Sequence, residues 1–210
     1  MDDAPYRRDR PAMTGVRAHI ADAAIRVIAR DGFDVVSIRT VAKEAGIVHG
    51  TVQYWFPSRD ALLAGALLRF AQRQEQRVAQ VLTNLPPDAA PAVRMVQALR
   101  ELLPIDPIRR EEAALWVAMS SAASTRPSLT TPYLAELAVL RDAIRAALDR
   151  GIASGRIDLR TTSEQGAYLL SALINGLMID GLNAPEGDLP RLEESLAIGV
   201  RIVLGVAPPA

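Results

Sequence analysis

Nowhere in this chain of 210 residues do apolar and polar residues alternate for long; alanine and leucine instead recur at three- and four-residue spacing almost from end to end. That period belongs to helices that bury one face, and no segment reads as a strand. The fold class is therefore all-α. Hydrophobic residues make up 50% of the chain, enough for a sizeable core and too many for a disordered one.

Caps and breakers divide the pattern. A first helix runs from Thr14 to Arg30, with Ile20, Ala24, Val27 and Ile28 on one face and Gly32 closing it. Ser37 caps a short second helix, SIRTVAKEAG, whose buried stripe is Ile38, Val41, Ala42 and Ala45, and Gly46 ends it. A third short helix covers about His49 to Phe56. Pro57 stops it, and Ser58 caps a long helix reaching about Leu82. NLPPDAAP is the clearest linker. Later helices are expected at about 89–103, 107–125 (Asp106, Pro107), 132–150 (Thr131, Pro132), 162–182 (Thr161 with Glu164 as a capping box) and 190–204, nine in all.

Several function classes drop out. With no cysteine there is no disulfide, thiolate metal site or cysteine nucleophile, which fits a reducing cytoplasm. The start MDDAPYRRDRPAM lacks the apolar run of a secretion signal. The most apolar stretch, AYLLSALINGLMIDGL, is interrupted by Asn175 and Asp180 and is short for a bilayer, so a soluble cytoplasmic protein without membrane contact is expected. An enzyme would need a nucleophile–base pair, paired carboxylates or metal ligands. Both histidines fall in the first 49 residues and no acid pair stands on an apolar helix, so no catalytic residue, cofactor or metal is expected. Net charge is zero, and residues 1–60 carry nine basic against eight acidic groups, so any nucleic-acid affinity must come from placement.

Placement does point to DNA. Two short helices joined by a glycine turn and braced by a preceding helix form a helix-turn-helix, whose second helix enters the major groove. That helix begins His49, Gly50, Thr51: small residues let the backbone approach, and the Thr51 hydroxyl and methyl can reach a base edge. His49 is read as a contact. Tyr54 and Trp55, at the far end, can donate to phosphate oxygens, while Phe56 faces back into the small core. Gln53 either donates to phosphate or reads adenine, and Arg59 is placed to grip phosphate. Arg39 and Lys43 complete the expected DNA-binding set. His19 reads as a surface residue of the first helix. Arg7, Arg8 and Arg10 are either a minor-groove arm or a solvated tail.

SIRTVAKEAGIVHGTVQYWFPSRDALL resembles the DNA-binding motif of the TetR family of transcriptional regulators, from about Thr14 through Leu63. The resemblance implies a homodimer that binds double-stranded operator DNA through residues 14–62, preceded by a flexible arm (1–13). It also implies a C-terminal domain (63–208) that binds a small effector and dimerises. Val48 stands where the family usually has a Ser or Thr cap, Gln53 where it often has a tyrosine, and Arg59 where it often has a lysine. LWVAMSSAASTRPSL, RGIASGRID and ALINGL are similar to the effector domain of the BetI-type branch, many of whose members carry an acid where this chain has Asn175.

The C-terminal half offers two further readings. Trp116, Met119 and Ser120 share a helix face that is either core or one wall of an effector pocket. Glu112, a turn earlier, is read as an acid set against the helix dipole. On helix 162–182, Tyr168, Ser171 and Asn175 form the opposing wall. With no acid on these faces, a mostly apolar, neutral or weakly polar effector is expected. Leu170, Leu173 and Leu177, with Leu192, Leu196 and Val203 on the last helix, form seams expected to pair with a second copy in a four-helix interface. The reading is a sequence-specific repressor released by a small molecule; the alternative is a regulator controlled by another protein or by nothing.

Overall fold

The computed structural model describes residues 13–184 and 188–206. Among them the chain forms nine α-helices: α1 (Gly15–Asp31), α2 (Ile38–Ala45), α3 (His49–Trp55), α4 (Arg59–Asn84), α5 (Pro91–Arg100), α6 (Pro107–Ala123), α7 (Pro127–Ala153), α8 (Ser163–Asn183) and α9 (Leu189–Leu204). A 3-10 turn, Phe33–Val35, links α1 to α2 and was not expected. The arm with Arg7, Arg8 and Arg10 lies outside the described residues. No helix among the described residues is long and apolar enough to cross a membrane.

Most boundaries follow local chemistry. Ser37 accepts from the Thr40 N–H at 3.1 Å while Thr40 Oγ1 accepts from the Ser37 N–H at 2.9 Å, a reciprocal cap on α2. Gly46 closes α2 at φ 65°, a conformation costly for other residues. Ser58 caps α4 through the Ala61 N–H. Two starts were misplaced. Thr162 with Gln165, not Thr161 with Glu164, caps α8. α7 begins at Pro127 and carries Pro132 within its second turn, because burying Leu129 and Tyr133 outweighs one lost backbone bond.

α1 is packed against α2, α4 and α6 and is the hub between the two halves of the chain. Its Ile20, Ala21, Ala24, Ile25 and Val27 are buried. In the C-terminal half, α8 lies against α6, α7 and α9, and α5 closes onto α9.

A run of ion pairs crosses the same junction. The Asp22 carboxylate on α1 accepts from Arg69 at 2.9 and 3.1 Å and from Arg73 at 3.3 Å, both on α4. Arg73 Nε also lies 3.0 Å from Glu112 on α6, and Arg77 donates to both Glu112 oxygens. Arg77 and Arg109 then flank Glu101 at 3.6 and 3.2 Å. Glu112 is 1% exposed, so it is the charge hub of the junction rather than a surface acid answering a helix dipole. Burial raises the Asp106 carboxyl, but bonds from the Arg109 backbone N–H and guanidinium outweigh it and leave the group below the usual carboxylate range.

A second tie fixes α2 on α1. Arg26 and Arg30 each donate to Glu44 at 2.8 Å. The Arg26 bond first, then that of Arg30, holds the Glu44 carboxyl below its ordinary value. A carboxylate lowered by folding stabilises the fold above its unfolded value, and that contribution is lost as pH falls through the folded one.

Candidate nucleic-acid interface and effector wall

The helix-turn-helix presents one face to solvent. Arg39 and Lys43 on α2 and His49, Gly50, Gln53, Tyr54 and Trp55 on α3 are all exposed, and Thr51 is half-buried beside them. Val52 and Phe56 anchor α3 from beneath. A Cβ at Gly65 on α4 would lie inside the Phe56 ring, so this glycine is what lets α3 and α4 close on each other. At Gly50 a Cβ would meet nothing within 4 Å; no packing within the chain requires a glycine there. The Tyr54 and Trp55 rings meet edge to face at 5.3 Å, which steadies both at the end of α3. Val48 offers no side-chain cap to α3. His19, on the surface as expected, has its Nε2 2.8 Å from the Ala45 carbonyl at the end of α2.

Arg59 is otherwise employed than the sequence suggested. Its Nε donates to the Val36 carbonyl at 2.8 Å and its Nη2 to the Phe33 carbonyl at 2.7 Å, and the guanidinium stands 5.0 Å over the Phe33 ring. It braces the 3-10 turn against α4, with Nε and Nη2 both spent on backbone carbonyls. Arg59→Ala is therefore expected to lower stability by about 1–3 kcal/mol, from lost hydrogen bonds by a charged donor, while the salt slope of DNA binding stays unchanged; urea unfolding and a salt titration read the two effects separately.

Between α6 and α8 the expected wall residues are packed against one another. Trp116 is buried, donates from Nε1 to the Asn175 Oδ1 at 2.8 Å, stacks on Phe70 of α4 at 5.6 Å and meets the tilted ring of Tyr133 of α7 at 4.9 Å. Met119 is fully buried and Ser120 half-buried. Ser171 is fully buried; its hydroxyl donates to the Tyr168 carbonyl and accepts from Arg141 Nε of α7 at 3.1 Å. Tyr168 departs from expectation: its ring stands at the exposed rim, 57% accessible, with the Arg141 guanidinium 4.4 Å from its centre. Phe70, Tyr133 and Arg141 were missed. Tyr133, Leu137 and Arg141 fall at four-residue spacing on one face of α7, a signal the sequence already offered on the expected helix 132–150.

The leucine seams are also corrected. Leu170, Leu177, Leu192 and Leu196 are buried within the single chain, and Leu173 and Val203 are half-buried against it. Leu173 covers Gly199, and a Cβ at Gly181 would come within 2.6 Å of Pro104 and 2.8 Å of Leu192. α5, α7 and the Pro104 loop supply the cover that a second copy was expected to give. The outward faces are different residues: Leu169, Ala172, Gly176 and Ile179 on α8, and Ile198 and Ile202 on α9, the last 73% exposed.

Comparison with known proteins fits this architecture. Residues 20–66 match the family described as bacterial regulatory proteins, tetR family, and residues 91–203 match the BetI-type transcriptional repressor, C-terminal. The HTH-type transcriptional regulator PksA of Bacillus subtilis (strain 168) is 31% identical over 107 residues, 51% of each chain; the match spans about half of that relative's length. A transcriptional regulator of Rhodococcus sp. Rha1 is similar in structure at TM-score 0.79 and 30% identity, covering 92% of this chain and all of that one. A putative transcriptional regulator of Saccharomonospora viridis, solved in complex with choline, is similar at TM-score 0.76 and 26% identity, covering 88% of this chain and 95% of that one.

Proposed function

The chain belongs to the TetR family of bacterial regulatory proteins, and from that premise we propose that it is a cytoplasmic homodimeric repressor whose operator grip is released by a small molecule. The observation that carries the DNA reading is the exposed face of α3 flanked by Arg39 and Lys43. Residues near the start of α3 are read as facing bases and those at its end as facing phosphates. Gly50, unneeded for packing, leaves room for the backbone of α3 to approach the groove.

Lys43→Ala and Tyr54→Phe are expected to weaken binding to all sequences alike, and Lys43→Ala to lower the slope of log K against log salt by about one per protomer. Thr51→Ala should instead relax preference at one base position, by about 1–3 kcal/mol if its contact is a good base-edge pair. Binding measured against an operator, its point variants and random DNA checks both; loss from Lys43→Ala restricted to single base positions would refute its phosphate role.

Dimerisation is assigned to the outward stripes of α8 and α9. Ala172 and Gly176 are small enough for close helix approach, and a Cβ at Gly176 meets nothing within this chain. Their joining would fix the spacing of two α3 helices, as two half-sites require. The effector is assigned to the wall at Trp116, Met119, Ser120, Ser171 and Asn175, with Tyr168 at its rim. Since Trp116 and Asn175 bond each other when the wall is closed, a ligand must replace that bond. α4 carries Phe70 beside the Arg69–Arg73–Arg77 row, both turned toward α6, so displacement of Trp116 bears on the same helix that supports α3. Trp116 emission, read in the Trp55→Phe protein, tests this placement: a ligand that releases DNA and leaves that emission unchanged would put the pocket elsewhere.

A further inference from the structure

We infer that the effector is an anion, its carboxylate or equivalent acidic group held by Arg141 at the α7–α8 rim of the wall; this rests on the effector site assigned above. Arg141 is half-buried, and its immediate partners are a hydroxyl and a ring: Nε donates to Ser171 Oγ at 3.1 Å and the guanidinium lies 4.4 Å from the Tyr168 ring centre. No carboxylate among the described residues is within ion-pair distance of it. Among other half-buried arginines of this half, Arg73 and Arg77 are neutralised by Glu112, Arg109 by Glu101 and Asp106, and Arg100 by Glu193. Arg94 and Arg201 have no ion pair among the described residues and, unlike Arg141, no buried hydroxyl or ring to fix them. Asp142, the next residue, is instead paired with Arg145 at 3.2 Å.

The arrangement fixes the guanidinium rather than merely tolerating it. Ser171 is fully buried, its proton is spent on the Tyr168 carbonyl, and its lone pair therefore faces Arg141 Nε. With Nε fixed and one face on Tyr168, the four remaining N–H groups form a planar fork matched to a carboxylate. One turn along α8, about 6 Å away, the Asn175 amide N–H2 makes no hydrogen bond among the described residues, its oxygen being taken by Trp116. A ligand with an acidic head at Arg141 and an apolar or aromatic body toward Trp116 meets both. A quaternary ammonium such as choline, bound by the Saccharomonospora neighbour, would face a fixed positive charge here. The neutral effector expected from sequence is revised for the same reason.

The test uses the full-length protein and a panel of alkyl and aryl carboxylates, each with its amide and its trimethylammonium counterpart at equal millimolar concentration. Melting shifts are read for native protein, Arg141→Gln and Arg141→Lys, and Trp116 emission in the Trp55→Phe background. Carboxylates are expected to stabilise the native protein and shift Trp116 emission. Their affinity should fall roughly tenfold or more in Arg141→Gln, as for loss of a charge-assisted hydrogen bond, and recover partly in Arg141→Lys. An amide or ammonium that binds as well and moves Trp116 emission would keep the pocket and overturn the anion. Carboxylates that bind without moving Trp116 emission would overturn the pocket itself. Equal binding by Arg141→Gln with an unchanged apo melting point, or no response to any carboxylate, would also overturn the assignment.

Discussion

Glu112→Gln is expected to cost about 3 kcal/mol of folding stability, a large effect for a change that keeps the shape of the side chain. The Glu112 carboxylate is buried and is bonded by Arg73 and Arg77 together. Glutamine keeps the volume, removes the charge, and points a donor at one of two guanidinium groups. Two arginines then share only Glu101 and Asp22, at the ends of the run. The figure sits at the lower end for a broken buried pair because both arginines retain some contact with water, their side chains being 21% and 24% exposed. Urea unfolding, with the midpoint lowered and the slope unchanged, is the expected record. Replacing Arg77 and Glu112 together by methionine should recover much of the loss, since a buried pair exchanged for apolar groups is often neutral.

The second large effect separates two faces of one helix pair. Leu177→Arg is expected to cost about 3–5 kcal/mol by driving an unpaired charge into the core of a single chain, and to give an aggregating or unfolded protein at any concentration. Ile202→Arg is expected to leave the fold intact, because that side chain already stands mostly in water. If α9 is part of the dimer interface, the Ile202→Arg protein should sediment as a folded monomer with collapsed affinity for a two-half-site operator. A dimeric Ile202→Arg protein with normal operator affinity would move the interface away from this stripe.

These residues also mark how far the sequence could be read. The DNA-binding end was legible because its signals are local: Ser37 caps within its own turn, Gly46 needs a positive φ, and Phe56 follows the last turn of α3. Arg59 was misjudged since its partners, the Phe33 and Val36 carbonyls, belong to a 3-10 turn that periodicity does not reveal. α8 was misjudged for a different reason. A helix apolar on every side gives a wheel with no preferred inward direction, so Leu170 and Leu177 were as plausible outside as in. What settles the direction is distant in sequence: Pro104, and Leu148 of α7 against Gly166. Glu112 belongs to the same class, because an acid's burial is decided by the arginines of another helix.

The charged run from Asp22 to Glu101 has a consequence for behaviour in heat. Inside each half of the molecule the contacts are mainly apolar, but between α1, α4 and α6 they include several partly desolvated ions. Warming makes hydration of ions less favourable and so reduces the penalty for holding them away from water, while apolar attraction per unit area levels off. The seam between the N-terminal and C-terminal halves therefore gains relative weight as temperature rises, and the mechanical coupling of the two along α4 should persist close to the melting point of the whole chain rather than fading before it.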